Sequence, residues 1–134
     1  MVISYCLPLV FAPDSNPEEN AKVLRVLLEN LIAIDRIHLR YHASPKLYSS
    51  GVRYRLIEEW LDIPSLLMLG YGDCKSLAAY LIAERREAGQ RCIPVFRWYP
   101  ATETEGLSFH VLVHNITRNG RVLPEDPSKI LGMP

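Results

Sequence analysis

Cys74 stands in Gly70-Tyr71-Gly72-Asp73-Cys74-Lys75-Ser76-Leu77-Ala78, a glycine-rich turn that runs straight into a helical pattern. His110 follows on a segment of strand character, and Asp126 follows in Glu125-Asp126-Pro127-Ser128. A thiol at a helix start, then a strand histidine, then an acid is the ordered set needed for a thiol nucleophile, its base and an orienting carboxylate. In the first helical turn, unsatisfied N–H groups and the helix dipole favour a thiolate, the attacking form. The N–H of Cys74 and one further donor would meet a developing oxyanion. Trp60 and Tyr71 are the candidates for that second donor.

Each residue also has a plainer reading. Cys74 shares a helix face with Leu77, Ala78 and Leu81, and free cysteine is among the most buried residue types. Taken alone it reads as a core thiol. His110 alternates with Ser108, Leu112 and His114 on one strand face, and a lone strand histidine is more often packing than catalysis. Asp-Pro-Ser is ordinary turn chemistry. Geometry adds a condition. A two-residue turn at Asn119-Gly120 pairs Val113 with Asp126, on the face opposite His110, so the three residues meet only if a bulge or bend near Pro124 re-aims the acid.

The elements that must position these groups follow from caps and periodicity. Asn16-Pro17-Glu18-Glu19 is a helix start with a capping-box-like pattern, and Leu24, Leu27, Leu28, Leu31 and Ile34 recur at helical spacing to about Leu39. Ser44-Pro45 and Ser49-Ser50-Gly51 are loop signals. Tyr54 to Leu61 reads as a short helix, with a further turn over Ser65 to Leu69. Asp73 is a good N-cap for the next helix, and Gly89 lies where a C-terminal glycine belongs. Cys92 to Trp98 is a strand whose Pro94 suits an edge or a kink. Leu107 to Ile116 is the clearest strand, with Val122-Leu123 returning after the turn. Helices early and antiparallel strands late make an α+β fold, one helix packed on a small sheet.

Length and composition bound the rest. The 134 residues suit a single domain over positions 1–134, with hydrophobic residues at 49% and no need of a disulfide or metal staple. Fifteen basic residues balance fifteen acidic ones, which argues against a nucleic-acid footprint or a polybasic membrane patch. Three cysteines without a CxxC pair exclude a disulfide framework and a structural zinc site, and suit a reducing compartment. Cys6 and Cys92 read as core thiols. The apolar run from Val2 to Phe11 lacks a basic leader, contains Pro8, and reads as a first strand or extended segment. No stretch is long enough to cross a membrane. His38 and His42 are spaced to share a metal, but Leu39 stands where a metalloprotease needs glutamate and no third ligand is evident. The pair reads as a surface helix end, and no metal or cofactor is expected.

At Gly72-Asp73-Cys74 with its Leu-Ala helix, Ala88-Gly89 before a strand, His110-Val111-Leu112-Val113 and Asp126-Pro127-Ser128, the chain resembles the transglutaminase-like superfamily of papain-like cysteine enzymes. The similarity covers roughly Trp60 to Asp126. It implies a papain-like core with an added N-terminal helix, Cys74 as nucleophile, His110 as base and Asp126 as the group that orients the histidine. His110 fits the family's His-x-x-Val start and its distance to Asp-Pro better than His114 does. Leu112 departs from the pattern, since an aromatic often stands there. With Gly51-Val52-Arg53-Tyr54 before Glu59-Trp60, the compact form is similar to stand-alone members encoded by bacteriophages and prophages. That implies a place in the cytoplasm of a bacterial host or in a virion.

The leading expectation is therefore a cysteine-dependent amide hydrolase, a peptidase or amidase, or an acyltransferase working through a thioester on a peptide or protein. A non-catalytic structural or interaction module of phage origin that keeps the fold is the rival from another class. A peptidoglycan peptidase is a third reading, disfavoured by Lys75-Ser76 after the cysteine and by an acid rather than a second histidine. Oligomeric state is not legible in the sequence.

Overall fold

The computed structural model describes residues 11–12, 14–100 and 107–134. The expected strand over Val2 to Phe11, with Cys6, lies outside the described residues except for Phe11. Ten elements follow in order: α1 (Pro17–Tyr41), a 3-10 turn (Leu47–Ser49), β1 (Arg53–Tyr54), α2 (Ile63–Leu69), β2 (Tyr71–Gly72), α3 (Cys74–Glu87), β3 (Arg91–Pro100), β4 (Leu107–Ile116), β5 (Val122–Glu125) and α4 (Pro127–Ile130). The fold is α+β, with a helix packed against a small antiparallel sheet.

Local chemistry sets the helix ends. Asn16 caps α1 by accepting from the Glu18 N–H at 2.9 Å, with Pro17 in the first turn. Asp62 caps α2 and Asp73 caps α3. Gly70 ends α2 with φ 80°, the left-handed region where glycine has no Cβ penalty.

Helix α3 is the centre of the molecule. Every residue from Cys74 to Ala83 is buried, because α1 packs on one side and the sheet on another. Ser76, Ala78, Ala79 and Ala83 let neighbouring backbones approach closely, while Leu77, Tyr80, Leu81 and Ile82 fill the core with Leu28, Ile32, Leu66, Val111 and Val113. Each such aliphatic side chain contributes about 1.5–3 kcal/mol of apolar transfer. Ion pairs from Arg36 and Arg40 to Glu87, and from Arg86 to Glu29, tie α1 to α3 at the surface.

The sheet has the order β3-β4-β5 and is antiparallel throughout. Pro94 sits on β3, an edge strand, where a missing N–H is tolerated. Two expectations need correction. Tyr54 to Leu61 is not helical: Arg53–Tyr54 pairs in parallel with Tyr71–Gly72, and the following residues run irregularly. Backbone bonds to distant partners replace a helical ladder there, from the Arg55 N–H to the Gly72 carbonyl and from the Leu61 N–H to Ser76 Oγ.

The second correction concerns the β4–β5 hairpin. Its register is Val113 with Glu125, His114 with Pro124, Asn115 with Leu123 and Ile116 with Val122. The Thr117 N–H donates to the Arg121 carbonyl and the Gly120 N–H to the Thr117 carbonyl, both at 2.9 Å, and Gly120 has φ 82°. The loop is thus three residues, Arg118 to Gly120, with glycine in the left-handed position, instead of the two-residue Asn-Gly turn. Pairing continues through Pro124 without a bulge.

Candidate functional site

That one-residue difference in register decides where Asp126 goes. Continuing the observed pairing by one step sets Asp126 across from Leu112, on the face that carries His110; the two-residue turn would set it across from Val113, on the opposite face. The His110 Nε2–H donates to Asp126 Oδ2 at 2.9 Å. The other carboxylate oxygen, Oδ1, accepts from the Lys129 N–H at 3.2 Å, because Asp126 is also the N-cap of α4. Both oxygens are thereby held. Nδ1 has no hydrogen-bond partner among the described residues.

Glu125, one residue earlier, anchors the end of β5. Its carboxylate pairs with Arg85 of α3 and also accepts from Tyr48 and Asn115. Burial works to raise the Glu125 carboxyl, but these partners together hold it below its ordinary value. Asp126 is thus presented from a strand end clamped to the central helix.

Cys74 opens α3 as its first residue, capped by Asp73, whose Oδ1 accepts from the Lys75 N–H at 3.2 Å. Gly72 is needed just before it, since a Cβ there would run into Leu66 Cδ2. Beyond Glu125 the chain turns into α4, leaving the flank of β4 near Val111 to face Cys74. The Val111 backbone N–H bears on the sulfur and favours the thiolate. Burial, first, and the Asp73 charge, second, act the other way and push the thiol up to about 11. The residue is only 8% exposed.

Cys74 and His110 line one cleft of about 1350 Å³, together with Tyr54, Trp60, Lys75, Trp98, Ser108 and Phe109. His114 does not line it. No side-chain hydrogen bond joins Cys74 to His110 among the described residues, so the two share the cleft without direct contact of that kind. The irregular run after β1 contributes Leu56, Ile57, Glu58, Glu59 and Trp60 to one wall, and α1 contributes Leu27, Leu31 and Ile34 to another.

Lys75 and Asp73 form a buried ion pair in the cleft wall. The Lys75 ammonium also approaches the Ile57 carbonyl at 3.4 Å and lies 5.9 Å from the centre of the Trp60 ring. It pins the irregular run beside the thiol. Burial pushes the Asp73 carboxyl up, against the pull of Lys75.

Of the two donors considered for an oxyanion, Trp60 lines the cleft and Tyr71 does not; Arg55 stacks over the Tyr71 ring at 4.7 Å. Tyr54 escaped the sequence reading. It lines the cleft, and burial, followed by the nearby Cys74 and Asp73 charges, raises its phenol. Its place depends on the Tyr54 N–H donating to the Leu131 carbonyl, a contact across most of the chain that no local pattern announces. Cys92 is a buried core thiol. His38 and His42 stack with centroids 4.5 Å apart at the end of α1, and no group of three or more metal-binding side chains occurs among the described residues. No helix of the described residues is long and apolar enough to cross a membrane.

Compared with known protein families, curated proteins and solved structures, the chain matches none of them.

Proposed function

We propose that the chain is a cysteine-dependent amide hydrolase or acyltransferase built on a compact transglutaminase-like core. The observation that carries this reading is that His110, hydrogen-bonded to Asp126, lines the same cleft as a cysteine at a helix N-terminus. In the proposed cycle the Cys74 sulfur attacks a peptide or amide carbonyl while its proton passes to His110. His110 then gives that proton to the departing amine, leaving a thioester on Cys74. Water or a second amine attacks the thioester, releases the acyl group and returns the proton to sulfur through His110. Asp126 fixes the tautomer of the neutral imidazole and stabilises the imidazolium that forms between the steps.

A second reading, a non-catalytic module that keeps the fold, draws on the burial of Cys74 and the upward push on its thiol. Exposure of the protein to p-nitrophenyl acetate near neutral pH, with mass spectrometry of the product, separates the two. An acyl group on Cys74, absent in Cys74→Ala and slow to form in His110→Gln, supports the enzyme. No acylation of Cys74 in the folded protein supports the module. Decay of the adduct with and without methylamine tells hydrolysis from acyl transfer.

A further inference from the structure

Tyr54 lines the cleft with Cys74 and His110 but has no role in the acyl-transfer cycle. β1 pairs with β2 in parallel and sets Tyr54 across from Gly72, two positions before Cys74. Three backbone contacts hold it there. The Tyr54 N–H donates to the Leu131 carbonyl at 2.9 Å, the Arg53 N–H to Gly70 at 3.0 Å and the Arg55 N–H to Gly72 at 2.9 Å. The ring is half-buried and packs on the core. Its hydroxyl makes no hydrogen bond among the described residues, and burial, followed by the Cys74 and Asp73 charges, raises the phenol. At neutral pH it is therefore an uncharged O–H group with a proton to donate.

We propose that the Tyr54 hydroxyl is the second donor to the oxyanion that forms when Cys74 attacks a carbonyl, the first being the Cys74 N–H. This role rests on the acyl-transfer function proposed for Cys74. The Cys74 N–H is the first of α3, a position without an intrahelical partner. The Asp73 carboxylate accepts from the Lys75 N–H at 3.2 Å and bears on the Ser76 N–H, and no group among the described residues meets the N–H of Cys74. As the sulfur bonds to the carbonyl carbon, the π pair of the C=O moves onto oxygen, which takes up the negative charge. The helix start and β1 then each offer that oxygen one hydrogen. The phenolic proton stays on Tyr54; the step is a hydrogen bond and not a transfer. When the C–N bond breaks, the pair returns to the carbonyl and the contact relaxes. A donor of this kind stabilises the charged intermediate more than the bound substrate, which is what lowers the barrier. Burial makes the thiolate of Cys74 costly before attack, so stabilisation of the charge after attack is where this cleft has most to gain.

Two reactions of Cys74 separate this role from an effect on the thiol itself. Acylation by p-nitrophenyl acetate passes through a tetrahedral oxyanion. Alkylation by iodoacetamide displaces iodide at a saturated carbon and forms none. Tyr54→Phe removes the hydroxyl and keeps the ring and the backbone contacts. It should slow acylation of Cys74 by about a hundredfold, the scale for losing one oxyanion donor, and leave alkylation unchanged. The acylation rate is read as a ratio to the alkylation rate of the same preparation. Equal acylation of wild type and Tyr54→Phe overturns the proposal and leaves the acyl-transfer function standing. A parallel fall in both reactions also overturns it, since the tyrosine then acts on the thiol. A wild-type Cys74 that is never acylated overturns the acyl-transfer function and the role of Tyr54 together.

Discussion

The His110 imidazole and the Asp126 carboxylate lie 2.9 Å apart although sixteen positions separate them in the chain. Their meeting depends on one residue of loop length between β4 and β5. In a strand pair a slip of one position moves every side chain to the other face. The three-residue loop over Arg118 to Gly120 therefore delivers Asp126 to the histidine, where the shorter turn would point it to the opposite face.

Replacing Asp126 by Asn should separate orientation from folding. Asparagine keeps an acceptor for the Lys129 N–H and so retains the helix cap, but it no longer fixes the imidazole as an anion does. Thermal midpoints should move by no more than a few degrees. The rate of Cys74 alkylation by iodoacetamide near pH 7 should fall by about tenfold or more, within the usual range for loss of a base or its orienter. Equal rates in the two proteins would sink the assigned role of the pair. Asp126→Ala should in addition lose about 1 kcal/mol with the cap.

Asp73→Asn should make Cys74 easier to ionise. The thiol is pushed up to about 11 by burial first and by the Asp73 charge second. Asparagine still caps α3 but removes that charge and leaves Lys75 without its partner. The midpoint of the alkylation–pH profile should drop by about one pH unit, roughly tenfold in thiolate at a given pH. A rise in the midpoint would show that the acid acts on the sulfur in some other way.

Gly72→Ala tests the tight seat before Cys74. The added methyl meets Leu66 Cδ2, and Leu66 is itself fully buried. Overpacking of this kind costs about 1–3 kcal/mol. Urea unfolding should report a lower midpoint at an unchanged slope. Gly72→Ala combined with Leu66→Val should recover part of the loss if the clash is the cause.

Asp35 should make stability depend on pH. Its Oδ1 accepts from the Ile63 N–H at 2.9 Å, its Oδ2 has no partner among the described residues, and burial pushes the carboxyl up to about 8. In the unfolded chain the group returns to about 3.9. Between about pH 4 and pH 8 the folded chain keeps a proton that the unfolded chain has lost, so this group makes stability fall as pH rises, by up to about 1.4 kcal/mol per unit. Asp35→Asn should flatten that dependence. Urea midpoints for both proteins at several pH values check it, and parallel curves would remove Asp35 as the source.

Much of this was legible in the residues themselves. Asn16, Asp73 and Gly89 marked helix ends because caps are local chemistry, satisfied within a turn of chain. The alternation from Leu107 to Ile116 marked β4, since one face of that strand is buried. The order Cys74, His110, Asp126 marked these three residues as candidates, and the structure bonds the last two to each other. What the residues did not carry were choices between local options of similar energy. Asn119-Gly120 suits a two-residue turn and a three-residue loop alike, and the register found is the one in which Glu125 pairs with Arg85 of the central helix. The run after Tyr54 has a helical look, but its N–H groups are met by Gly72 and Ser76, far along the chain. The sequence alone determined which side chains are available for chemistry, because residue type and local caps need no partner from afar. Tertiary structure decided that Asp126 faces His110 and that the Cys74 thiol is buried, because register and desolvation arise only when distant segments pack together.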